Sequence, residues 1–113
     1  MLFLTTIIKM PVYHIVLFKL KPNVLPDQIA EWSKLATQMV GKIPGLLEFY
    51  ANHPLTQTAK RAKGYDMGVV AILETPADIL PYGEHPAHQE VHKLREQLCS
   101  ETLVYDLEFE PSA

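Results

Sequence analysis

The segment VYHIVLFKL, residues 12–20, is apolar on both sides of any strand it forms. Side chains at successive strand positions point to opposite faces, so Val12, His14, Val16, Phe18 and Leu20 share one face and Tyr13, Ile15 and Leu17 share the other. YDMGVVAIL, residues 65–73, repeats the pattern, with Tyr65, Met67, Val69, Ala71 and Leu73 opposed to Val70 and Ile72. An antiparallel sheet with helices on one side and water on the other carries a polar second face. Here neither face suits water. A chain of 113 residues makes one domain that buries roughly 65% of its unfolded surface, and nothing in it is left over to cover the second face. A second copy of the same sheet covers it, as isologous packing permits. The expectation is a homodimer whose sheets face each other.

The other elements follow from local chemistry. Lys21-Pro22-Asn23 stops the first strand, and Pro26 and Asp27 suit the first turn of a helix. Ile29, Trp32, Ala36, Met39 and Val40 recur at helical spacing up to Gly41. LLEFYANH, residues 46–53, reads as the second strand, and residues 54–63 as a polar connection. After the third strand, Thr75 and Pro76 offer an N-cap and first helical position, with Pro81 interrupting that helix. His85-Pro86 starts the last helix, with Ala87, Val91, Leu94 and Leu98 as a narrow core stripe, and LVYDLEF, residues 103–109, closes the sheet. Strand, helix, two strands, helices, strand is the order of an α+β, ferredoxin-like four-stranded antiparallel sheet with helices on one face. Residues 1–10 read as an N-terminal extension and residues 11–113 as the domain.

Composition removes several classes of function. A net charge of −3 with 10 basic residues gives no footprint for phosphate backbones, so nucleic acid is not expected as a partner. MLFLTTII is too short to span a bilayer and carries no leading positive charge, so no membrane partner is expected either. The lone Cys99 excludes an intrachain disulfide and any CxxC pair, which points to a reducing, cytoplasmic setting. No GxSxG, Walker loop or GxGxxG occurs.

Chemistry concentrates in YGEHPAHQEVH, residues 82–92, which holds three of the five histidines. His85, His88 and His92 have ligand-like spacing, but no cysteine or HExxH glutamate accompanies them, and no metal is expected. On a helical wheel His88 flanks the core stripe, His92 lies further toward solvent, and His85 helps end the preceding loop. Tyr82 stands beside a helix break, three residues before the HPAH run. His14 sits in the middle of an apolar strand face, where an imidazole must find a partner or a wet cavity. It is either a core histidine bonded to backbone or a functional one.

The opening YHIVLFKLKP, the GY that leads the third strand, and Tyr82-x-x-His-Pro-Ala-His88 followed by VYDLEF resemble the stress-responsive dimeric A/B barrel family from Pro11 to Phe109. The resemblance implies a ferredoxin-like protomer whose sheet pairs with that of a second protomer to form a dimeric α/β barrel. In members of the olivetolic acid cyclase type, plant polyketide cyclases, the site combines the tyrosine and second histidine of this motif with a first-strand histidine. The matching residues are Tyr82, His88 and His14. Where those cyclases carry another histidine shortly after the GY, this chain has Met67, which makes the pocket more apolar.

The resemblance thus implies an enzyme acting without cofactor on a polyketide-like or other β-dicarbonyl small molecule. His88 would be the base, Tyr82 the donor to a developing enolate, and His14 a positioning or relay group. Phe18, Tyr65, Met67 and Val69 would line the substrate site. A stress-associated or ligand-binding dimer without catalysis is the alternative from another class, because a fold does not fix a function.

Overall fold

The computed structural model describes residues 10–111, so all but the last residue of the expected extension over residues 1–10 lies outside them. Strands β1 (Val12–Leu20), β2 (Leu46–Asn52), β3 (Met67–Leu73) and β4 (Cys99–Glu108) form one antiparallel sheet in the order β2-β3-β1-β4. Helices α1 (Pro26–Thr37), α2 (Ile79–Glu84) and α3 (Pro86–Leu98) complete the fold. This is the expected ferredoxin-like α+β architecture.

Register decides which side chains meet. His14 is opposite Ala71 on β3 and Asp106 on β4, Val16 is opposite Val69 and Val104, and Phe18 is opposite Met67 and Thr102. The face bearing Val12, Val16, Phe18, Met67, Val69, Ala71 and Leu73 is buried together with Trp32 and Ala36 of α1, Met39 in the turn after it, and Val91 and Leu98 of α3. Phe18 meets Trp32 edge to face at 4.9 Å, a geometry worth about 0.5–1.5 kcal/mol beyond area burial. Cys99 is buried, consistent with a small apolar role.

The opposite face of the sheet carries Tyr13, Ile15, Leu17, Val70 and Ile72, with Leu103, Tyr105 and Leu107 beside them on β4. Tyr105 is 64% exposed and Leu103 47% exposed in the single chain. Apolar side chains on both sides of β1 and β3 are thus present in the fold, as the alternation required.

Several boundaries differ from expectation. Residues 54–63 are not a plain connection but contain a 3-10 helix, Thr56–Ala62. Pro81 does not interrupt α2; it occupies the helix's first turn, where its missing N–H leaves no bond unmade. β3 begins at Met67 rather than residue 65, because Lys63 and Gly64 take left-handed conformations and the chain is still turning at Tyr65. β4 begins at Cys99 rather than residue 103, pairing Leu20 with Cys99 and Lys19 with Glu101. Gly45, at φ +85°, packs so close to the Asp78 carboxylate that a Cβ would lie 2.5 Å from its Cγ. That carboxylate accepts from Thr75 N and Oγ1, fixing the turn into α2.

Candidate active site

The break between α2 and α3 builds the centre of the site. His85 is the N-cap of α3 and its Nδ1 accepts from Ala87 N at 3.0 Å, so it serves the backbone and is not free for chemistry. Two turns of chain, one before and one after this cap, therefore bring the Tyr82 and His88 rings together, their planes inclined at 60°. Their ring centroids are 4.7 Å apart. His14, from β1 beneath them, meets the Tyr82 ring edge-on at 5.4 Å. The three residues singled out from the sequence converge.

They line a cavity of about 640 Å³ between the helices and the sheet. Its walls are mostly apolar: Phe18, Met67 and Val69 from the sheet, Trp32, Ala36 and Val91 from the helices. Tyr65 is not among them. With β3 starting two residues later than expected, Tyr65 lies under the Lys19 ammonium, 4.9 Å from its ring centroid, with its hydroxyl toward Glu101.

Burial sets the protonation of the central pair. Tyr82 is 4% exposed, and loss of water pushes its phenol well above its ordinary value of 10.0, so it stays protonated and can only donate or accept as a neutral group. Among the described residues no hydrogen bond engages its hydroxyl. Burial also lowers His88 below its ordinary 6.5, helped by the charges of His92, His14 and Arg95. Its Nδ1 is sealed from solvent without a partner of hydrogen-bonding geometry; the Gly83 carbonyl opposes the shift without reaching that geometry. Nε2 is then the nitrogen left to serve the cavity. The Trp32 Nε1 is a second enclosed polar atom without a partner on the same cavity. Unpaired buried groups of this kind cost about 1–3 kcal/mol each and concentrate where a protein does something other than fold.

Asp106, His92, Arg95 and Thr102 also line the cavity, where sequence reasoning did not place them. Asp106 of β4 reaches across to β1, where its Oδ1 lies 2.5 Å from His14 Nδ1 and fixes that ring. His92, expected toward solvent, is half-buried on the cavity wall with its ring 6.2 Å from His88 and its Nε2 2.9 Å from Glu96. Arg95 Nε donates to His92 Nδ1 at 3.2 Å, and Arg95 Nη1 donates to Thr102 Oγ1 at 2.8 Å. Positions 88, 92 and 95 fall on one helix face, which was the available signal; the crossing of α3 over β4 was not readable. Among the described residues no group of three His, Cys, Asp or Glu side chains is placed to hold a metal ion.

An antiparallel ferredoxin-like sheet with a His–Tyr–His cluster between sheet and helices defines a small α/β barrel protomer. Residues 12–109 match the stress responsive A/B barrel domain, and the chain belongs to that family. It is 28% identical over 97 residues to olivetolic acid cyclase from Cannabis sativa, covering 86% of this chain and 95% of that protein. Its fold is also that of hydroxynitrile lyase from Passiflora edulis, with a TM-score of 0.79, 20% identity, and coverage of 91% of this chain and 96% of that one. A dimeric ferredoxin-like protein of unknown function from Thermobifida fusca superposes with a TM-score of 0.77 at 23% identity, over 93% and 96% of the two chains.

Proposed function

We propose that this protein is a small cofactor-independent cyclase acting on a β-polyketide or related β-dicarbonyl substrate. The observation that carries the reading is the pairing of a neutral, partly enclosed His88 with a protonated, unengaged Tyr82 in a mainly apolar cavity. The relation to olivetolic acid cyclase supports the same chemistry.

A carbon flanked by two carbonyls loses a proton readily once one carbonyl oxygen is stabilised as charge develops. His88 Nε2 takes that proton, and the Tyr82 hydroxyl donates to the oxygen that becomes the enolate. The enolate carbon then bonds to a carbonyl carbon further along the same chain. The alkoxide so formed is reprotonated by the imidazolium of His88, and loss of water completes an aldol condensation. His14, held by Asp106 at its Nδ1 and packed edge-on against the Tyr82 ring, positions or relays. The apolar walls exclude water, which strengthens each of these polar contacts. Two protomers pair through the apolar outer faces of their sheets, and self-association is supported by the dimeric ferredoxin-like protein of known structure.

A structure of the protein soaked with a β-polyketide acid tests the assignment. A substrate carbonyl oxygen within hydrogen-bonding reach of the Tyr82 hydroxyl, with an adjacent methylene facing His88, is the expected result. A ligand seated in the cavity with all its carbonyls remote from Tyr82 would leave a ligand-binding dimer and no cyclase.

A further inference from the structure

Arg95 is a cation at the edge of this cavity with hydrogen-bonding capacity to spare. A guanidinium has five N–H donors. Arg95 directs Nε and Nη2 at the His92 ring, with Nη2 3.1 Å from both ring nitrogens, and one Nη1 proton at Thr102, which leaves the second Nη1 proton without a partner. No carboxylate of the described residues lies within ion-pairing distance of it: Asp106 is taken by His14, and Glu96 by His92. Yet Arg95 lines the cavity, and its charge is felt at His88. A half-buried guanidinium held on two sides, with an N–H donor to spare and no carboxylate partner among the described residues, is built to receive an anion.

We propose that Arg95 anchors the carboxylate of an acidic substrate, so that the site takes linear β-dicarbonyl acids in preference to their neutral esters or ketones. The inference rests on the cyclase reading for the reacting end of the substrate and adds what holds the other end. Residues 88 and 95 are seven apart on α3, about 10 Å along the helix axis. A carboxylate at Arg95 therefore sits several bonds from the methylene at His88. The substrate class is an acid whose reactive dicarbonyl unit lies well away from its carboxyl end, and the carboxylate is retained through ring closure because the anchor is not part of the reacting group.

The test uses 5,7-dioxooctanoate, which is a stable β-diketone with a distant carboxylate, and its methyl ester. Dissociation constants are measured by titration calorimetry on the full chain at low ionic strength and neutral pH. The acid should bind about tenfold or more tightly than the ester, the preference should be lost in Arg95→Gln, and Arg95→Lys should keep only part of it. In exchange of the methylene protons with solvent deuterium, the acid's advantage should lie in KM and not in kcat. Equal affinity for the two probes, no measurable binding of the acid at millimolar concentration, or a preference that survives Arg95→Gln overturns the proposal. The acid-to-ester ratio of the wild type alone is decisive even if a variant fails to fold. Binding preference without proton exchange would instead retain the anchor and remove the cyclase reading.

Discussion

The rings of Tyr82 and His88 lie 4.7 Å apart across the joint between two helices, although neither helix alone would bring them together. The His85 cap and the Pro86 start of α3 set the angle of that joint. Whatever the site does depends on it.

Removing either partner should therefore act on turnover more than on binding. His88→Gln and Tyr82→Phe should each reduce kcat by about 10²-fold or more, the usual size of general-base and oxyanion contributions. Steady-state kinetics on a β-diketone, with circular dichroism to verify folding, checks both. Unchanged kcat in both variants would remove the assigned roles.

The pH profile follows from the same burial. Protonated His88 cannot accept a proton, so the rate should fall as pH drops through its pKa. That pKa is lowered from 6.5 by burial and by the charges of His92, His14 and Arg95, so the acid limb should lie below pH 6.5. Tyr82 is raised by burial from 10.0, so its alkaline limb should lie above pH 10.0. Stability moves in the same direction: between the lowered value and 6.5 the unfolded chain binds more protons at this residue, and His88 destabilises the fold as pH falls through that window. Melting curves of wild type and His88→Gln should accordingly converge toward acid pH if they differ at neutrality in favour of the wild type.

Asp106 offers a test of positioning. Asp106→Asn keeps the size of the group against His14 Nδ1 but removes its charge. A rate loss of about ten- to a hundredfold, carried by kcat with KM little changed, is expected if His14 must be held in one orientation. Equal losses in stability and rate, both rescued by lower temperature, would mark a merely structural pair.

The outer face of the sheet predicts its own experiment. Tyr105→Glu places a charge among Leu103, Leu107 and Ile15 neighbours on a surface that is apolar in the single chain. Burying that charge against a second sheet is unfavourable, so sedimentation should shift from dimer toward monomer. A wild-type protein that sediments as a monomer at micromolar concentration would contradict the pairing.

Much of this was legible in the chain, for reasons particular to each residue. His14 stood out because imidazole in an apolar strand needs a partner; that partner, Asp106, lies 92 residues away and is set by the β1–β4 register, which no local pattern encodes. Tyr82 and His88 were marked by the helix break between them. Tyr65 was misplaced because strand alternation was extended back to residue 65, where the chain is still leaving the left-handed turn at Lys63 and Gly64. The early start of β4 was hidden by the polar run after Cys99, since an edge strand shows solvent-facing residues that look like loop. Arg95 carries no local signal of its own, because its place is set by β4, which brings Thr102 within hydrogen-bonding distance of it.

The most direct measurement is proton exchange at the methylene of a β-diketone in deuterated buffer, followed by NMR with wild type, His88→Gln and Tyr82→Phe at equal concentration. Wild type should accelerate exchange well beyond buffer at about pH 7, and each variant should lose about 10²-fold of that acceleration. Exchange by wild type no faster than by buffer, or exchange that persists undiminished in His88→Gln, would contradict the assignment of His88 as the base.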